Sequence, residues 1–475
     1  VTRGEAMKKD SVIKIVMGPL LFAMAIILIP ESFMSYSVRG AIGVFLWMSA
    51  WWITIPVGVA VTAFVPIVAC SVFGIVNVDA VISQYFTDLI VLLLGADILT
   101  LTWETTGLNR RIALRTLSWI GPSMKAQITV WFAASAMMSV FLPNVVVGAC
   151  LTPIALAMLK AVKKEDPAQN TSAANILLAI AWGAGIGGFG SPLGGGMNLI
   201  VIGYIEEITG QEYLYTTWVK LMFPILAVIT AGCLAGILMI RSEVRELPGV
   251  QEYFTSEYKK LGHMGMAEHL SLWMFIVPVV LVFTRGLWKS FIPSWNSAYV
   301  FLVFAIAAFC LPGTCGGRLI TWKFAQPKIS WGLFYTLAGG LALGKVITLS
   351  GTSEMLAACV AESQVKNETL LCVLFIIIAS VLANVSSNNS ACAIVCPLVI
   401  SVMTALQEDP VPYLYMAAVG GNLAFLLPSA TRAIPVAAGV EPSYMLKKGL
   451  PINVIAVILA ILCALVCLQL PVYRS

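Results

Sequence analysis

Eleven apolar stretches divide this chain, each close to the length that crosses a bilayer as one helix. They run 12–30, 37–54, 56–76, 84–106, 173–204, 215–240, 269–286, 298–312, 330–350, 411–439 and 446–471. About 20 apolar residues span the hydrocarbon core. Two more apolar stretches, 126–162 and 368–406, are too long for one crossing and too short for two. Each carries a polar break near its middle: Pro143-Asn144 in one, Ser386-Ser387-Asn388-Asn389-Ser390 in the other. Both read as re-entrant helical hairpins, which enter and leave on one side. Composition agrees, since 59% of the 475 residues are hydrophobic, 11% are charged and mean hydropathy is +0.93. A soluble chain carries about a quarter charged residues, so lipid is the solvent for most of this one.

That reading excludes a cytosolic enzyme and a secreted domain. A net charge of +5 from basic residues in separate loops gives no nucleic-acid footprint. The only two histidines, His263 and His269, lie in or beside one polar loop, so no His-ligated metal or His base sits in the membrane. Eleven scattered cysteines without a CxxC pair read as buried thiols rather than as disulfides or a metal site. The one GxGxxG run, Gly183–Gly188, lies inside a membrane helix with no strand before it, so dinucleotide binding is rejected. No nucleophile–base pair supports an enzyme. The opening VTRGEAMKKD reads as a remnant ahead of Met7, and no small-residue cleavage site follows the first apolar run.

Loop charge sets the orientation. With the N-terminus cytoplasmic, 20 of the 28 Lys and Arg fall on inside segments and five outside. Eleven crossings then leave the C-terminus outside, in the plasma (inner) membrane. The first hairpin opens from the inside and the second from the outside.

The two halves share a ruler. Gly95 precedes Gly107 by 12 residues, and Gly339 precedes Gly351 by 12. Gly107 precedes Asn144 by 37, and Gly351 precedes Asn388 by 37. Asn144 precedes Pro153 by 9, and Asn388 precedes Pro397 by 9. Lys220-x-x-x-Pro224 matches Lys447-x-x-x-Pro451 at a shorter offset, which puts an insertion in the first half, with the polar loop 160–172 as its expected place. Span 84–106 starts outside and span 330–350 inside, so the repeats are inverted. Inverted repeats with broken helices mark secondary transporters, whose site lies at the midplane. The fold expected is an all-α polytopic membrane protein of eleven spans and two hairpins.

Each half supplies a hairpin tip and a later broken helix. The first break runs Gly185 to Asn198 through Gly190-Ser191-Pro192; the second runs Leu426 to Pro435 through Ala430-Thr431-Arg432. Helix breaks leave free N–H groups and positive dipole ends, which suit a carboxylate. Asn amides and Ser/Thr hydroxyls add donors, and their oxygens and the freed carbonyls suit Na⁺. The candidate substrate residues are Asn144, Ser191, Ser387, Asn388, Asn389, Thr431 and Arg432. Three acids share one span, Asp88, Asp97 and Glu104; they read as structural partners for Lys345 or for Arg110 and Arg111, with a proton relay as the alternative. Trp47, Trp51 and Trp52 read as an interface belt, a packing surface or a subunit contact.

At these residues the chain resembles the divalent anion:sodium symporters, the INDY-like dicarboxylate transporters, over nearly its whole length. Thr105 to Leu114 (TTGLNRRIAL) is similar to the family's segment before the inner hairpin. Trp331-Gly332 with Gly339 to Lys345 (GGLALGK) is similar to the segment before the outer hairpin. Trp218 to Pro224 and Met445 to Pro451 look like the closing helices. The family's tips read Ser-Asn-Thr; here they read Pro143-Asn144-Val145 and Ser387-Asn388-Asn389, so both Asn stand. The family's second break reads Ala-Thr-Pro-Pro-Asn; here Arg432 follows Ala430-Thr431. The resemblance implies substrate contacts at Asn144, Ser387, Asn388 and Thr431. It implies one sodium cluster at Ser139, Asn144 and Gly190, and another at Ala383, Asn388 and Ala430. It also implies a homodimer and elevator-like motion of a transport domain (126–240 and 368–475) against scaffold helices (1–125 and 241–367). No cofactor is implied.

A mid-membrane Arg must face a cavity or a partner. Arg432 is therefore expected to hold a carboxylate bidentately and to balance charge where the family uses sodium. A fixed cation cannot leave with substrate, so the expected activity is obligatory exchange of C4–C5 dicarboxylates. Sodium-coupled uptake is the alternative, and an anion channel a more distant one. A structural pairing of Arg432 with Asp97 is the competing reading of that residue.

Overall fold

The computed structural model describes residues 3–119, 121–163, 170–355 and 367–473. Among the described residues every named element is helical. Ten helices among the described residues are long and apolar enough to cross a membrane. They include three hairpin arms, and several expected crossings are instead short or broken.

The chain begins with α1 (Arg3–Leu28), α2 (Tyr36–Thr54) and α3 (Val65–Phe73). Then come α4 (Asp88–Thr106) and α5 (Leu108–Leu117), joined at Gly107, whose φ of +77° favours a residue without Cβ. The first hairpin is α6 (Met124–Phe141) and α7 (Asn144–Lys163). The first broken helix is α8 (Thr171–Gly187) and α9 (Gly196–Thr209), and α10 (Tyr215–Leu238) closes that half. A surface helix α11 (Val250–Lys260) leads to α12 (Met266–Phe283), α13 (Ser297–Cys310) and α14 (Trp331–Leu349). The second hairpin is α15 (Glu368–Val385) and α16 (Asn388–Ala405). The second broken helix starts as α17 (Val411–Asn422) and resumes only at Ala433–Ala437; α18 (Pro442–Cys467) follows.

The repeat is visible in packing as well as in spacing. Each hairpin's first arm packs on the first part of its own broken helix, α6 on α8 and α15 on α17. Glycines make both approaches possible. A Cβ on Gly187 would lie 2.0 Å from the Ala136 carbonyl oxygen, and one on Gly420 would lie 2.6 Å from that of Ile376. The closing helices α10 and α18 pack on each other. Asn170 and Asn367, which begin sequon-like triplets, cap α8 and α15 by accepting from Ser172 N at 2.8 Å and Leu370 N at 3.0 Å.

Two expectations are corrected, the continuity of span 56–76 and the partners of the α4 acids. Span 56–76 is two pieces, Val59–Thr62 and Val65–Phe73, with Pro66 in the first turn of the second, where its missing N–H leaves no bond unmade. Span 411–439 is broken as expected, its helix ending at Asn422, a little ahead of the expected Leu426. The tryptophans form a packing surface within one chain, one of the readings expected of them: Trp47 and Trp51 meet edge to face at 5.4 Å, Trp51 donates to Ile15 O, and Trp52 is buried and donates to Val59 O. The acids of α4 have partners other than those expected. Asp97 accepts from Ser330 N at 2.7 Å at the start of α14, and Asp88 accepts from Asn296 and Tyr299. Glu104 pairs with Lys328, while Lys345 pairs with Glu207 at 3.1 Å. Arg111 takes Glu268 at 2.7 Å and Arg110 takes Glu257 at 3.0 Å. Of the loop read as an insertion, residues 164–169 lie outside the described residues.

Candidate functional site

The first hairpin turns at Leu142-Pro143, where the proline favours the extended backbone that Leu142 adopts (φ −115°, ψ 145°), and α7 starts at Asn144. The Asn144 amide lies beside Gly188, with Nδ2 3.6 Å from where a Cβ would stand. Gly188 opens the break between α8 and α9, so the tip ends part-way along that broken helix rather than at its end. This matches a re-entrant hairpin.

The first break is held by neutral groups. Asn198 Nδ2 donates to Gly188 O at 2.8 Å and to Ser191 O at 2.7 Å. Ser191 Oγ donates to Val140 O and accepts from Leu193 N at 3.2 Å. Trp218 Nε1 donates to Phe189 O at 2.9 Å. Ser191 is fully buried and its hydroxyl is engaged by the backbone.

The second break is held by Asn384 and Arg432. Asn384 Nδ2 donates to Ser380 O, Leu423 O and Asn453 Oδ1, while its Oδ1 accepts from Phe425 N and Leu426 N at 2.8 and 2.9 Å. Arg432 Nε donates to Leu427 O, Nη1 to Ala424 O and Nη2 to Ala383 O, each at 2.9 Å; Nη2 also reaches Ser429 Oγ. Four donations from a five-donor guanidinium leave little of it free. Arg432 is 5% exposed and turned to backbone carbonyls. Its expected bidentate grip on a free carboxylate is not the geometry present, and Asp97 is not its partner either. Trp182 Nε1 donates to Phe425 O, as Trp218 does in the other half.

The two halves interlock. Gly148 of α7 faces Thr431, with a Cβ there 3.0 Å from Thr431 Cγ2. Gly196, which begins α9, faces Asn389, with a Cβ 3.2 Å from Asn389 Oδ1. Each hairpin thus touches the other half's break. Three helix N-termini come to this region: α7 at Asn144, α16 at Asn388 and α9 at Gly196, the last without a side-chain cap. Their positive ends favour an anion.

The structure brings Asn144, Asn388, Asn389 and Thr431 to this region with free polar groups. The side-chain amides of those Asn form no hydrogen bond among the described residues. Thr431 is 4% exposed and its Oγ1 has no partner. Buried polar atoms are rarely left so. Ser387 caps α16, its Oγ accepting from Ser390 N at 3.2 Å. Ala430 has φ +48°, a strained value of the kind that clusters at functional sites. Asn144 is half-buried and Val145 exposed, whereas Asn388 is buried and its neighbour Ser386 donates to Trp52 O at 2.5 Å. The first tip is therefore the more open one.

Two residues that hold the site, Asn198 and Asn384, were not singled out by sequence. Asn384 and Ser380, four residues apart on one face of the otherwise apolar end of α15 just before the tip, are a polar pair whose spacing could have found it. As for sodium, Ala383 O in the second cluster is already taken by Arg432. In the first cluster Ser139 Oγ makes only a 3.5 Å contact with Leu142 O, and the nearby buried Asn198 Oδ1 lacks a partner. Oxygens of this kind fit a small hard cation there, and the second cluster does not fit one while Arg432 holds it.

The model of the family described as citrate transporter, CitMHS, matches residues 49–420 and 287–474. The sodium-dependent dicarboxylate transporter SdcS of Staphylococcus saprophyticus is 25% identical over 468 residues, 94% of this chain and 89% of that protein. Its namesake in Staphylococcus aureus (strain NCTC 8325 / PS 47) is 26% identical over 470 residues, 95% of this chain and 90% of that protein. The expected kinship with sodium-dependent dicarboxylate transporters is borne out, and with a family model covering most of its length the chain belongs to the CitMHS citrate transporter family of membrane transporters.

Proposed function

We propose that this chain is a secondary carrier that exchanges C4–C5 dicarboxylates of the succinate, malate and 2-oxoglutarate class. The substrate sits between the two tips. Asn144, Asn388 and Asn389 offer amides, Thr431 a hydroxyl, and three helix N-termini a positive field. Ser387 and Ser191 shape the site through the backbone. The carrier works as a homodimer, with the hairpins, broken helices and closing helices moving against the other helices. Its N-terminus is cytoplasmic and its C-terminus outside.

The observation that carries the exchange reading is the bond from Arg432 Nη2 to Ala383 O. A guanidinium then sits on a carbonyl of the second sodium cluster and supplies the positive charge permanently. Returning empty leaves that charge without its dianion, whereas returning with another dicarboxylate does not. Sodium-coupled uptake has one observation in its favour besides the names of the relatives. In the first half, Pro192 stands where the repeat places Arg432 in the second, so no fixed cation occupies that cluster.

Thermal stabilisation by succinate separates these readings. In Na⁺ and in choline⁺ the shift should be equal for the wild type. Arg432→Ala should lose it in choline⁺ and regain part of it in Na⁺. A wild-type shift that appears only in Na⁺ contradicts exchange without sodium.

A further inference from the structure

A cavity of about 640 Å³ lies between the two groups of helices, on the face where α17 begins. The bond between the hydroxyls of Tyr213 and Tyr415, 2.7 Å, marks that face. One wall carries Asp88, Lys289 and Tyr299; the other carries Glu206, Glu212 and Tyr215. Ion pairs cross the seam, Glu212 to Arg285 at 3.1 Å and to Lys289 at 3.3 Å, and Glu207 to Lys345 at 3.1 Å.

Glu206 differs from its neighbours. It accepts one backbone N–H, from Tyr213 at 2.8 Å, and has no ion pair among the described residues. Tyr215, 3% exposed, lines the same cavity and its hydroxyl has no partner. A half-buried carboxylate beside other carboxylates and a buried lone phenol lacks only a cation or a proton.

We infer that Glu206 is a proton-binding site whose occupancy holds this face of the carrier closed. It lies just beyond the apolar run that ends at residue 204. Burial, then the like charges of Glu212 and Asp88, push its carboxyl from an ordinary 4.5 up to about 7, against the Tyr213 N–H and Lys289. The groups facing it are Glu207 on its own helix, Tyr213 and Tyr215 after it, Asp88 of α4, Arg285, Lys289 and Tyr299 opposite, and Lys345 of α14. Opening hydrates Glu206 and returns it toward its ordinary value. The closed form therefore binds the proton more tightly. Closure is favoured as pH falls from about 7 and is relieved above it. This rests on the two helix groups moving apart and not on which substrate is carried.

The test reads opening, not transport. Ser297→Cys, buried in the cavity wall, and Ser294→Cys, exposed at its rim, are each labelled with a membrane-impermeant maleimide, subtracting label on the unsubstituted chain. The ratio of the two rates cancels the pH dependence of the thiol reaction itself. It should rise at least threefold from pH 5.5 to 8. Glu206→Gln should make it low and flat. Asp88→Asn, which removes a like charge, should move the rise to lower pH. A flat ratio without the Glu206 change, or a rise that survives Glu206→Gln or ignores Asp88→Asn, overturns the inference.

Discussion

The Arg432 guanidinium donates to the Ala383 carbonyl at 2.9 Å, joining the second helix break to the second hairpin just before its tip. In the first half a neutral amide, Asn198, binds the freed carbonyls of the break. The same backbone problem is met once with charge and once without. That asymmetry between otherwise matched halves is the main chemical departure of this chain from a symmetric carrier.

Thr431 is the most direct probe of substrate contact. Its hydroxyl is buried and unpaired, so Thr431→Val should change stability by about 1 kcal/mol or less. Loss of a hydrogen bond to a carboxylate should weaken dicarboxylate binding tenfold or more, about 1.4 kcal/mol per tenfold. Calorimetric titration with succinate, beside a thermal melt, checks both.

Asn384 should matter for stability rather than for substrate. Asn384→Ala orphans the amides of Phe425 and Leu426, while the Leu423 carbonyl keeps its bond from Ser380 Oγ. Each unpaired group costs about 1–3 kcal/mol. A thermal melt should fall markedly, while material that remains folded keeps its succinate affinity within about threefold, since a threefold change is only about 0.7 kcal/mol.

How much of this the sequence revealed depends on what each residue depends on. The interval that relates Asn144 to Asn388 is a property of the chain alone, and it located both tips and both breaks. The partners of Asp97 and Lys345 depend on which helices become neighbours, so Ser330 and Glu207 were not legible. Ser191 shows the same limit from the other side: its position in the break was readable, but not that Val140 O and Leu193 N engage its hydroxyl. The identity of Arg432 was plain, and its turn away from the open site followed only once Ala383, Ala424 and Leu427 were seen around it.

Two glycines on α8 give an internal control for the tight packing of hairpin on broken helix. Gly187→Ala drives a methyl to 2.0 Å from Ala136 O, whereas at Gly185 nothing lies within 4 Å. The first change should destabilise by about 1–3 kcal/mol or more. The second should be neutral or stabilise by up to about 1 kcal/mol. Paired thermal melts decide it.

Exchange driven without sodium is tested most directly in liposomes of purified protein. Radiolabelled succinate uptake is followed into vesicles loaded with or lacking dicarboxylate, each with and without an inward Na⁺ gradient. Uptake should require internal dicarboxylate, ignore Na⁺, and weaken in Arg432→Pro. Uptake into empty vesicles driven by the Na⁺ gradient would contradict Arg432 as the fixed substitute for the coupling ion.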